Sequence, residues 1–409
     1  MDTPVIAVVA TMDTKAAEAQ FLAEQISSLG ARPRLVDIGL STDHTQTVEI
    51  SAEDLAQRAG TNVRQLRSGL RHEAMQAMGD AAGEVLHQWF DAGELHGVIA
   101  VGGNQGTAVA AIAMRALPIG PAKLIISTVA SGNVRQYVQD SDITMQFSVA
   151  DLLGGPNVVT SAILRRSAAA VVAMAASTSG PAEQTDQPVV GITAFGNTEQ
   201  AVVAAIAELR AGGVHCVPFH ASGACGSAME RLIDDGVIQG VLDLTIHEVL
   251  GELESADIYA PVRPGRLTAA GRAGIPQVVV PGGLEYFCFG GVQDIPATYR
   301  DRRTHIHNPY NTNVRTSAEE LAGVGTLIAE RLNAARGPAA VLIPTEGWSG
   351  VGSPGGVLHE PDTNDALIEV LQRDLHPAVP VELHEATIND PEFAKGAART
   401  LLAMMQRGT

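Results

Sequence analysis

The sequence predicts two α/β domains, each built on a doubly wound, Rossmann-like and mainly parallel sheet, with a cleft between them. Short apolar runs without alternation recur along the chain, and glycine-rich turns and helical patterns follow them, which is typical of parallel strands buried on both faces. The composition agrees, because 42 glycines and only 4% aromatic residues suit tight strand-to-helix turns better than a β-sandwich. A length of 409 residues also favours more than one hydrophobic core.

The first domain is predicted to contain four strands separated by helices. A small, polar segment with one proline, residues 177–187, has the chemistry of a linker. We therefore place the domain boundary within it, with domains at residues 1–180 and 181–409. The predicted strands are Val5–Ala10, Arg34–Ile38, Gly97–Val101 and Leu124–Thr128, and the clearest helices lie near Ala16–Leu29, Met75–Ala92 and Asn157–Ala176.

The second domain restarts the same pattern after the linker. Gly97-Val98-Ile99 corresponds to Gly240-Val241-Leu242, and Lys123–Gly132 corresponds to Pro276–Gly283, which indicates two related domains. Ligands of such sheets bind beyond the carboxyl ends of the strands, so we expect chemistry, if there is any, in the cleft. The predicted strands are Val189–Ala194, His215–Phe219, Gly240–Leu244, Pro276–Pro281 and Ala339–Pro344.

Charge and cysteine content exclude several classes of protein. The chain has 45 acidic and 27 basic residues and a formal net charge of −18, which argues against nucleic acid or an anionic membrane as a partner. Its three cysteines have no metal-ligand spacing and favour a reducing compartment. The beginning of the chain lacks a basic leader, and no apolar run approaches the roughly 20 residues of a membrane span. We expect a cytoplasmic protein.

The first candidate binding loop follows the first predicted strand and opens a helix. Free N–H groups and the helix dipole favour an anion there, and a lysine adds a positive charge. The alternative is that Asp13 or Thr14 only caps the helix, and the two roles can coexist. The residues predicted to bind a cofactor in this loop are Thr11, Asp13, Thr14 and Lys15.

Two further glycine- and hydroxyl-rich loops follow predicted strands of the same domain. The segment Gly102–Thr107 has three glycines in six residues, which would let backbone amides approach a phosphate or carboxylate. It lacks the lysine of a P-loop, and a tight turn is the alternative explanation. The segment Ser127–Asn133 could hold a second phosphate or a ribose. The predicted cofactor-binding residues are Gly102, Gly103, Asn104, Gln105, Gly106, Thr107, Ser131, Gly132 and Asn133.

The second domain offers the candidate catalytic residues. His220 ends a buried strand and enters a small-residue loop, which suits a general base or a substrate-orienting donor, although it could also only tie down its loop. Glu285 and Asn308 follow as candidates for metal or substrate contact. The identity of any metal stays open, because His305 and His307 have no third ligand nearby in the sequence.

Several of these segments together resemble one protein family across the whole chain. They are Thr11–Lys15, Gly102–Thr107, Ser127–Asn133 and residues 142–145 in the first half, and Phe219–Gly223, Ala228-Met229-Glu230, Gly240–Thr245, His307-Asn308-Pro309 and Ile388–Ala394 in the second. This order of motifs resembles the Tm-one-like ATP-binding family, formerly an uncharacterised protein family. That family includes stand-alone bacterial proteins and the N-terminal half of a plant inhibitor of tobamovirus replication.

The resemblance implies a two-domain α/β protein that binds ATP with Mg²⁺ and works beside a separate TIM-barrel protein. It does not imply a reaction, so whether the chain is an enzyme stays open. One alternative is an enzyme acting on a phosphorylated or carboxylated metabolite without ATP, and another is a non-catalytic protein-binding module. The apolar stretch Ala168–Ala176 on a predicted helix further suggests a homo-oligomer, although that helix could simply cross its own sheet.

Overall fold

The fold is described from a computed structural model that covers residues 3–41, 45–177 and 185–407. The chain divides into two compact units, Met1–Gln184 and Thr185–Thr409, which we treat separately. Most of the predicted linker, residues 178–184, lies outside the described residues. No helix in the described part of the chain is long and apolar enough to cross a membrane.

The first unit alternates strands and helices along the chain. Its elements are β1 (Val5–Ala10), α1 (Met12–Ser28), β2 (Arg32–Asp37), α2 (Ala52–Arg58), α3 (Val63–Ser68), α4 (Arg71–Asp91), β3 (Gly97–Gly102), α5 (Asn104–Arg115), β4 (Ala122–Ser127), α6 (Arg135–Val138), β5 (Thr144–Phe147) and α7 (Thr160–Ser177).

These strands form one parallel sheet in the order β2-β1-β3-β4-β5. Every residue of β1, β3 and β4 is buried, because one hydrophobic cluster covers each face of the sheet. The order of the strands reverses between β1 and β3, so the loops that leave these two strands diverge and open a crevice at the carboxyl edge.

The second unit contains a second parallel sheet and a small antiparallel one. Its elements are β6 (Val189–Ala194), α8 (Glu199–Ala211), β7 (His215–His220), α9 (Ala224–Asp234), β8 (Gly240–Thr245), α10 (Ala269–Ala273), β9 (Gln277–Gly282), β10 (Tyr286–Phe289), β11 (Thr304–Asn308), β12 (Asn311–Arg315), α11 (Ala318–Asn333), β13 (Ala339–Pro344), α12 (Pro361–Asp374), β14 (Val381–His384) and α13 (Pro391–Arg407).

The parallel sheet of the second unit has the order β7-β6-β8-β9-β13-β14. Its first strands repeat the arrangement of the first unit, so β8 and β9 occupy the positions of β3 and β4, as the internal similarity predicts. The antiparallel sheet, in the order β10-β12-β11, is inserted between β9 and β13.

The prediction of two α/β domains with mainly parallel sheets is confirmed. The antiparallel sheet is a feature that the sequence analysis did not predict. The stretch Ala168–Ala176 lies on α7, where Ala168, Val171 and Ala175 are buried against the sheet of their own unit. The helix therefore crosses its own sheet, while Ala173 is exposed on its other side. A homo-oligomer stays a prediction.

Candidate functional site

The loop between β1 and α1 places polar groups at the carboxyl edge of the first sheet. Thr11 caps α1 with an extended backbone, but its side chain makes no capping hydrogen bond. Instead, its hydroxyl lies 2.9 Å from the hydroxyl of Thr14. The buried carboxylate of Asp37 accepts the Met12 N–H at 2.9 Å. Capping by Asp13 or Thr14, the simpler expectation, is therefore not how this helix begins.

The loop between β3 and α5 divides into residues that shape the turn and residues that face outward. A Cβ atom on Gly102 would lie 3.0 Å from the backbone of Gly106 and Thr107, so this glycine permits the close start of α5. Thr107 is buried, and its hydroxyl lies 2.6 Å from that of Ser127. At Gly103, by contrast, a Cβ atom would meet only a hydroxyl 3.8 Å away. Gly102 and Thr107 therefore determine the shape of the loop, whereas Gly103 borders open space.

These two loops line one pocket of about 430 Å³ at the crevice between β1 and β3. One wall is polar and carries eight of the predicted residues, namely Thr11, Asp13, Thr14, Lys15, Gly103, Asn104, Gln105 and Gly106. The apolar part of the lining comes mainly from α4 and the loop after β2, with Ile38, Leu40, Met75, Met78 and Val109. The pocket therefore has the size and the mixed lining of a small-molecule site.

Two cations and one carboxylate face this pocket. Lys15 lies where the helical backbone of α1 is interrupted, and its ammonium group donates to the Thr14 carbonyl at 3.4 Å. Arg71, at the start of α4, lines the pocket and forms no ion pair with any residue that the structure describes. Asp13 is exposed on the polar wall. Sequence reasoning missed Arg71, because it belongs to a polar excursion whose packing no local pattern reveals.

The loop after β4 lies apart from this pocket lining. Ser131, Gly132 and Asn133 are exposed, and none of them lines the pocket. Gly132 donates its N–H to the Val129 carbonyl at 3.2 Å, and the Asn133 side chain accepts the Arg135 N–H at 3.1 Å. These contacts are those of a turn, so the predicted role of the three residues in cofactor binding has no support from their placement.

A second, smaller pocket of about 150 Å³ lies in the second unit and contains His220. The His220 ring stands at the end of β7, 5.1 Å from the ring of Phe195 and 6.1 Å from that of Tyr259. The surrounding groups partly desolvate the imidazole, which lowers the pKa of His220, and the nearby carboxylate of Glu248 offsets this only in part. His220 is therefore neutral at pH 7.

A buried ion pair of His247 and Asp257 lies beside this pocket. The Nδ1 atom of His247 is 2.8 Å from the Gly283 carbonyl oxygen, and its Nε2 atom is 3.1 Å from a carboxylate oxygen of Asp257. Both partners can only accept, so both ring nitrogens carry protons. Burial by itself lowers the pKa of His247. Asp257 and the neighbouring Cys288 raise it by a larger amount, so this pKa lies well above its ordinary value.

The thiol of Cys288 lines the small pocket, and the Asp257 carboxylate beside it accepts the Cys288 N–H at 2.8 Å. Burial raises the pKa of the thiol, although the charge of His247 acts in the opposite direction. The Asn313 amide donates to its sulfur at 3.0 Å. Cys288 is therefore a wall residue in this arrangement and not an activated nucleophile.

Glu285 and Asn308, two of the predicted catalytic residues, lie outside both pockets. The buried carboxylate of Glu285 accepts from the Trp348 N–H at 2.9 Å and from the Ser349 hydroxyl at 2.6 Å. Burial raises the pKa of Glu285, and these hydrogen bonds act against that rise. Asn308 is exposed, and its side chain accepts the Tyr310 N–H at 2.8 Å in the turn between β11 and β12. Both residues organise the fold, and direct contact with a substrate is not supported for either.

A buried charge cluster fixes the loop that follows His220. The Arg266 guanidinium donates to Glu248 and to Asp243, at 2.6 Å in each case, and it also contacts Glu230. The second oxygen of Glu248 accepts the Gly223 N–H at 2.6 Å. Burial raises the pKa of Glu230 and the charge of Asp243 adds to this rise, whereas the Arg266 guanidinium acts against it. An isolated arginine gives no sequence signal for such a cluster.

Comparison with known proteins identifies relatives over nearly the full length of the chain. Residues 4–180 match the uncharacterised protein family UPF0261 N-terminal domain, and residues 187–405 match the C-terminal domain of the same family. A UPF0261 protein of Clostridium tetani is 35% identical over 98% of this chain and 99% of its own length. One from Rhizobium meliloti is 38% identical over 96% of this chain and 97% of its own length.

A plant protein and distant solved structures also match. The ToMV susceptible protein tm-1(GCR26) of tomato is 32% identical over 98% of this chain, but the match spans only 56% of the tomato protein. Among solved structures, the glycosyltransferase SnogD of Streptomyces nogalater aligns over 99% of this chain and 100% of its own, with 11% identity and a TM-score of 0.20. That score supports no inference about activity.

Proposed function

The chain belongs to the uncharacterised protein family UPF0261 through both of its domains, and on this premise we propose that its first unit binds ATP with Mg²⁺. The observation that carries the proposal is the meeting of two helix starts in one pocket. The N–H groups in the first turn of a helix lack intrahelical acceptors, and the helix dipole adds positive potential. The starts of α1 and α5 both border the pocket, a placement that favours phosphate binding, and at α1 the Met12 N–H is already taken by Asp37.

The charges of the pocket support a phosphate chain. Lys15 and Arg71 supply two cations, and each charge-assisted hydrogen bond to phosphate contributes about 1.5–3 kcal/mol. The open position at Gly103 leaves room for phosphate oxygens to approach the backbone. Gly106 is equally accommodating, because a Cβ atom there would only touch the Thr11 side chain at 3.7 Å.

The apolar wall of the pocket supports a nucleotide over a simple phosphorylated metabolite. Ile38, Leu40 and Met75 line the same pocket as the polar residues and offer an apolar surface for a flat, weakly polar base. A bare phosphate or a short carboxylate would leave this surface without contacts. The pocket volume of about 430 Å³ lies within the range of small-ligand sites.

In this proposal, the carboxylate of Asp13 is a ligand of the magnesium ion. Among the described residues, no group of three or more His, Cys, Asp or Glu side chains could hold a metal ion by itself. Magnesium in nucleotide sites is held by one or two carboxylates together with phosphate oxygens, so a single exposed carboxylate suffices. The ion would offset the phosphate charge beside Asp13.

The wider role is a proposal as well. The match covers only 56% of the tomato relative. For this chain, we propose that a separate TIM-barrel protein acts as a partner. We further propose a homo-oligomer. A cytoplasmic location suits the three cysteines, all of which are free thiols. Whether bound ATP is hydrolysed or only gates a partner is left to experiment.

Calorimetric titration with ATP and Mg²⁺ tests the proposal. We expect saturable binding that weakens at least tenfold in Lys15→Ala and in Arg71→Ala, because each variant removes a charge-assisted contact. Arg64→Ala is the matched control, since Arg64 is an exposed arginine on α3 that does not line the pocket. Titrations with inorganic phosphate and with AMP separate the contributions of the phosphate chain and the base.

Two outcomes would contradict this function. Unchanged ATP affinity in both folded variants would remove the pocket from nucleotide binding. Tight binding of a phosphorylated or carboxylated metabolite without any ATP binding would favour the alternative enzyme. An assay of phosphate release then distinguishes an ATP-hydrolysing enzyme from a non-catalytic module that binds a partner.

A further inference from the structure

The small pocket of the second unit contains hydrogen-bonding groups that the protein itself leaves unused. The side-chain oxygen of Asn313, a residue only 2% exposed, receives no hydrogen bond from any residue that the structure describes. Its nitrogen donates to Cys288 and, at 3.3 Å, to the Asn311 oxygen. In this orientation of the amide, the oxygen of Asn313 is the atom that has no partner. A buried carbonyl oxygen without a donor destabilises the protein, so a ligand that donates to it is favoured.

Two phenols complement this free acceptor. The Tyr286 oxygen accepts from the Asn197 amide at 3.2 Å, and the Tyr259 oxygen accepts from the Asn311 amide at 3.3 Å. Neither phenol donates its own O–H to a residue in the described ranges. Burial raises the pKa of both tyrosines, so both protons stay on the oxygens at neutral pH. The pocket therefore offers two free donors and one free acceptor.

The charges around the pocket disfavour an ionic ligand. Neither lysine nor arginine lines it. His247 lies beside the pocket, but Asp257 already neutralises its charge, so it gives little attraction for an anion. An ammonium ligand is disfavoured too, because neither aspartate nor glutamate lines the pocket to pair with its charge. Desolvating an unpaired charge here would cost more than the hydrogen bonds return.

We propose that this pocket binds a small uncharged molecule that carries a hydroxyl group next to a second hydroxyl or a carbonyl oxygen. A ligand hydroxyl donates to the Asn313 oxygen, and its oxygen atoms accept from Tyr259 and Tyr286. The volume of about 150 Å³ equals that of an engineered cavity that holds benzene, so roughly six non-hydrogen atoms fit. The neutral imidazole of His220 lies at the same pocket and suits an exchange of protons with a ligand hydroxyl.

Three probes with one carbon skeleton test this proposal on the full chain, independently of ATP binding. Glycerol is the uncharged probe, 3-amino-1,2-propanediol is its cationic analogue, and glycerate is its anionic analogue. The chain has only five tyrosines, so labelling their rings gives a simple NMR spectrum. We expect glycerol to shift the Tyr259 and Tyr286 signals saturably and to bind at least tenfold more tightly than either charged probe.

Variants on one hairpin provide the matched comparison. Asn313→Ala should weaken glycerol binding about five- to tenfold, because it removes the acceptor. Asn308→Ala, on the same hairpin but outside the pocket, should leave binding unchanged, and exposed Tyr310 reports non-specific effects. If Asn313→Ala does not fold, Tyr259→Phe removes a donor from a partly exposed residue and should weaken binding by a similar factor. The proposal is overturned if the wild type and a folded variant, either Asn313→Ala or Tyr259→Phe, bind glycerol with equal affinity. It is also overturned if a charged probe binds more tightly than glycerol.

Discussion

Replacing two adjacent glycines should separate nucleotide binding from folding in the first unit. At Gly103 the backbone φ of −83° suits any residue, and a new Cβ atom would meet only the Thr128 hydroxyl at 3.8 Å. Alanine is a poorer helix cap than glycine, which lowers the free energy of unfolding by roughly 1 kcal/mol. Alanine also restricts the unfolded chain, which raises the free energy of unfolding by about 0.4–1 kcal/mol. The two terms nearly cancel, so Gly103→Ala should keep the free energy of unfolding within about 1 kcal/mol of the wild type.

The same methyl group should block the phosphate. An acceptor oxygen must come within about 3 Å of a backbone N–H, and the added carbon occupies that space. Losing one or two charge-assisted hydrogen bonds of about 1.5–3 kcal/mol each predicts at least a tenfold loss of ATP affinity in Gly103→Ala, and a larger loss in Gly103→Val.

Gly102→Ala is the matched variant with the opposite outcome. Its Cβ atom would lie 3.0 Å from backbone atoms of Gly106 and Thr107, so the start of α5 has to move. We expect a loss of about 1–3 kcal/mol in stability. Urea unfolding and calorimetric titration with ATP measure the two effects. Wild-type ATP affinity in folded Gly103→Ala, or an equal loss of stability in both variants, would refute the reasoning.

Four further outcomes are expected. Arg266→Met should cost about 3–5 kcal/mol in urea unfolding, because it leaves the buried carboxylates of Asp243 and Glu248 and the partly exposed one of Glu230 without their cation; a change below about 1 kcal/mol would contradict this. The raised pKa of His247 predicts that the charged ring contributes to stability. This contribution is complete below the ordinary histidine pKa of about 6.5 and is lost as the pH rises through the pKa of the folded state. Asp257→Asn should flatten this pH dependence in unfolding curves taken at several pH values. Glu285→Gln should lower stability by about 1–3 kcal/mol while ATP affinity stays unchanged by calorimetry. Sedimentation should show an oligomer that Ala173→Arg on the exposed face of α7 dissociates, and a 42.6 kDa monomer in the wild type would contradict it.

The parallel sheets could be predicted because each central strand carries its own signal. Val5–Ala10 and Gly240–Thr245 are buried throughout, so their apolar runs mark strands without knowledge of their neighbours. The loops that follow them meet at one edge because parallel strands all point the same way. Much of the first pocket, from Thr11 to Gly106, follows from this rule alone.

The remaining parts depend on contacts between segments that are distant in the sequence. Arg71 reaches the pocket through the packing of α4, and α4 begins in a stretch without a clear period. In the antiparallel sheet, the pairing of β10 with β12 brings Asn311 and Asn313 close to Tyr286 and Cys288. Local composition does not specify the register of this pairing. Glu285 has the sequence context of an active-site carboxylate, but three-dimensional packing surrounds it with donors from a segment more than sixty residues away.

The repeated order of strands bears on the ancestry of the chain. The arrangement β2-β1-β3-β4 recurs as β7-β6-β8-β9, and the antiparallel hairpins interrupt only the second copy. Duplication of one ancestral gene segment accounts for this repeat, with a later insertion before β13. Once doubled, each copy could diverge under separate selection. The first copy holds a cavity with lysine and arginine, whereas the second holds aromatic rings and amides at the corresponding edge. The two copies thus present different side-chain chemistry at the same edge of the same strand arrangement.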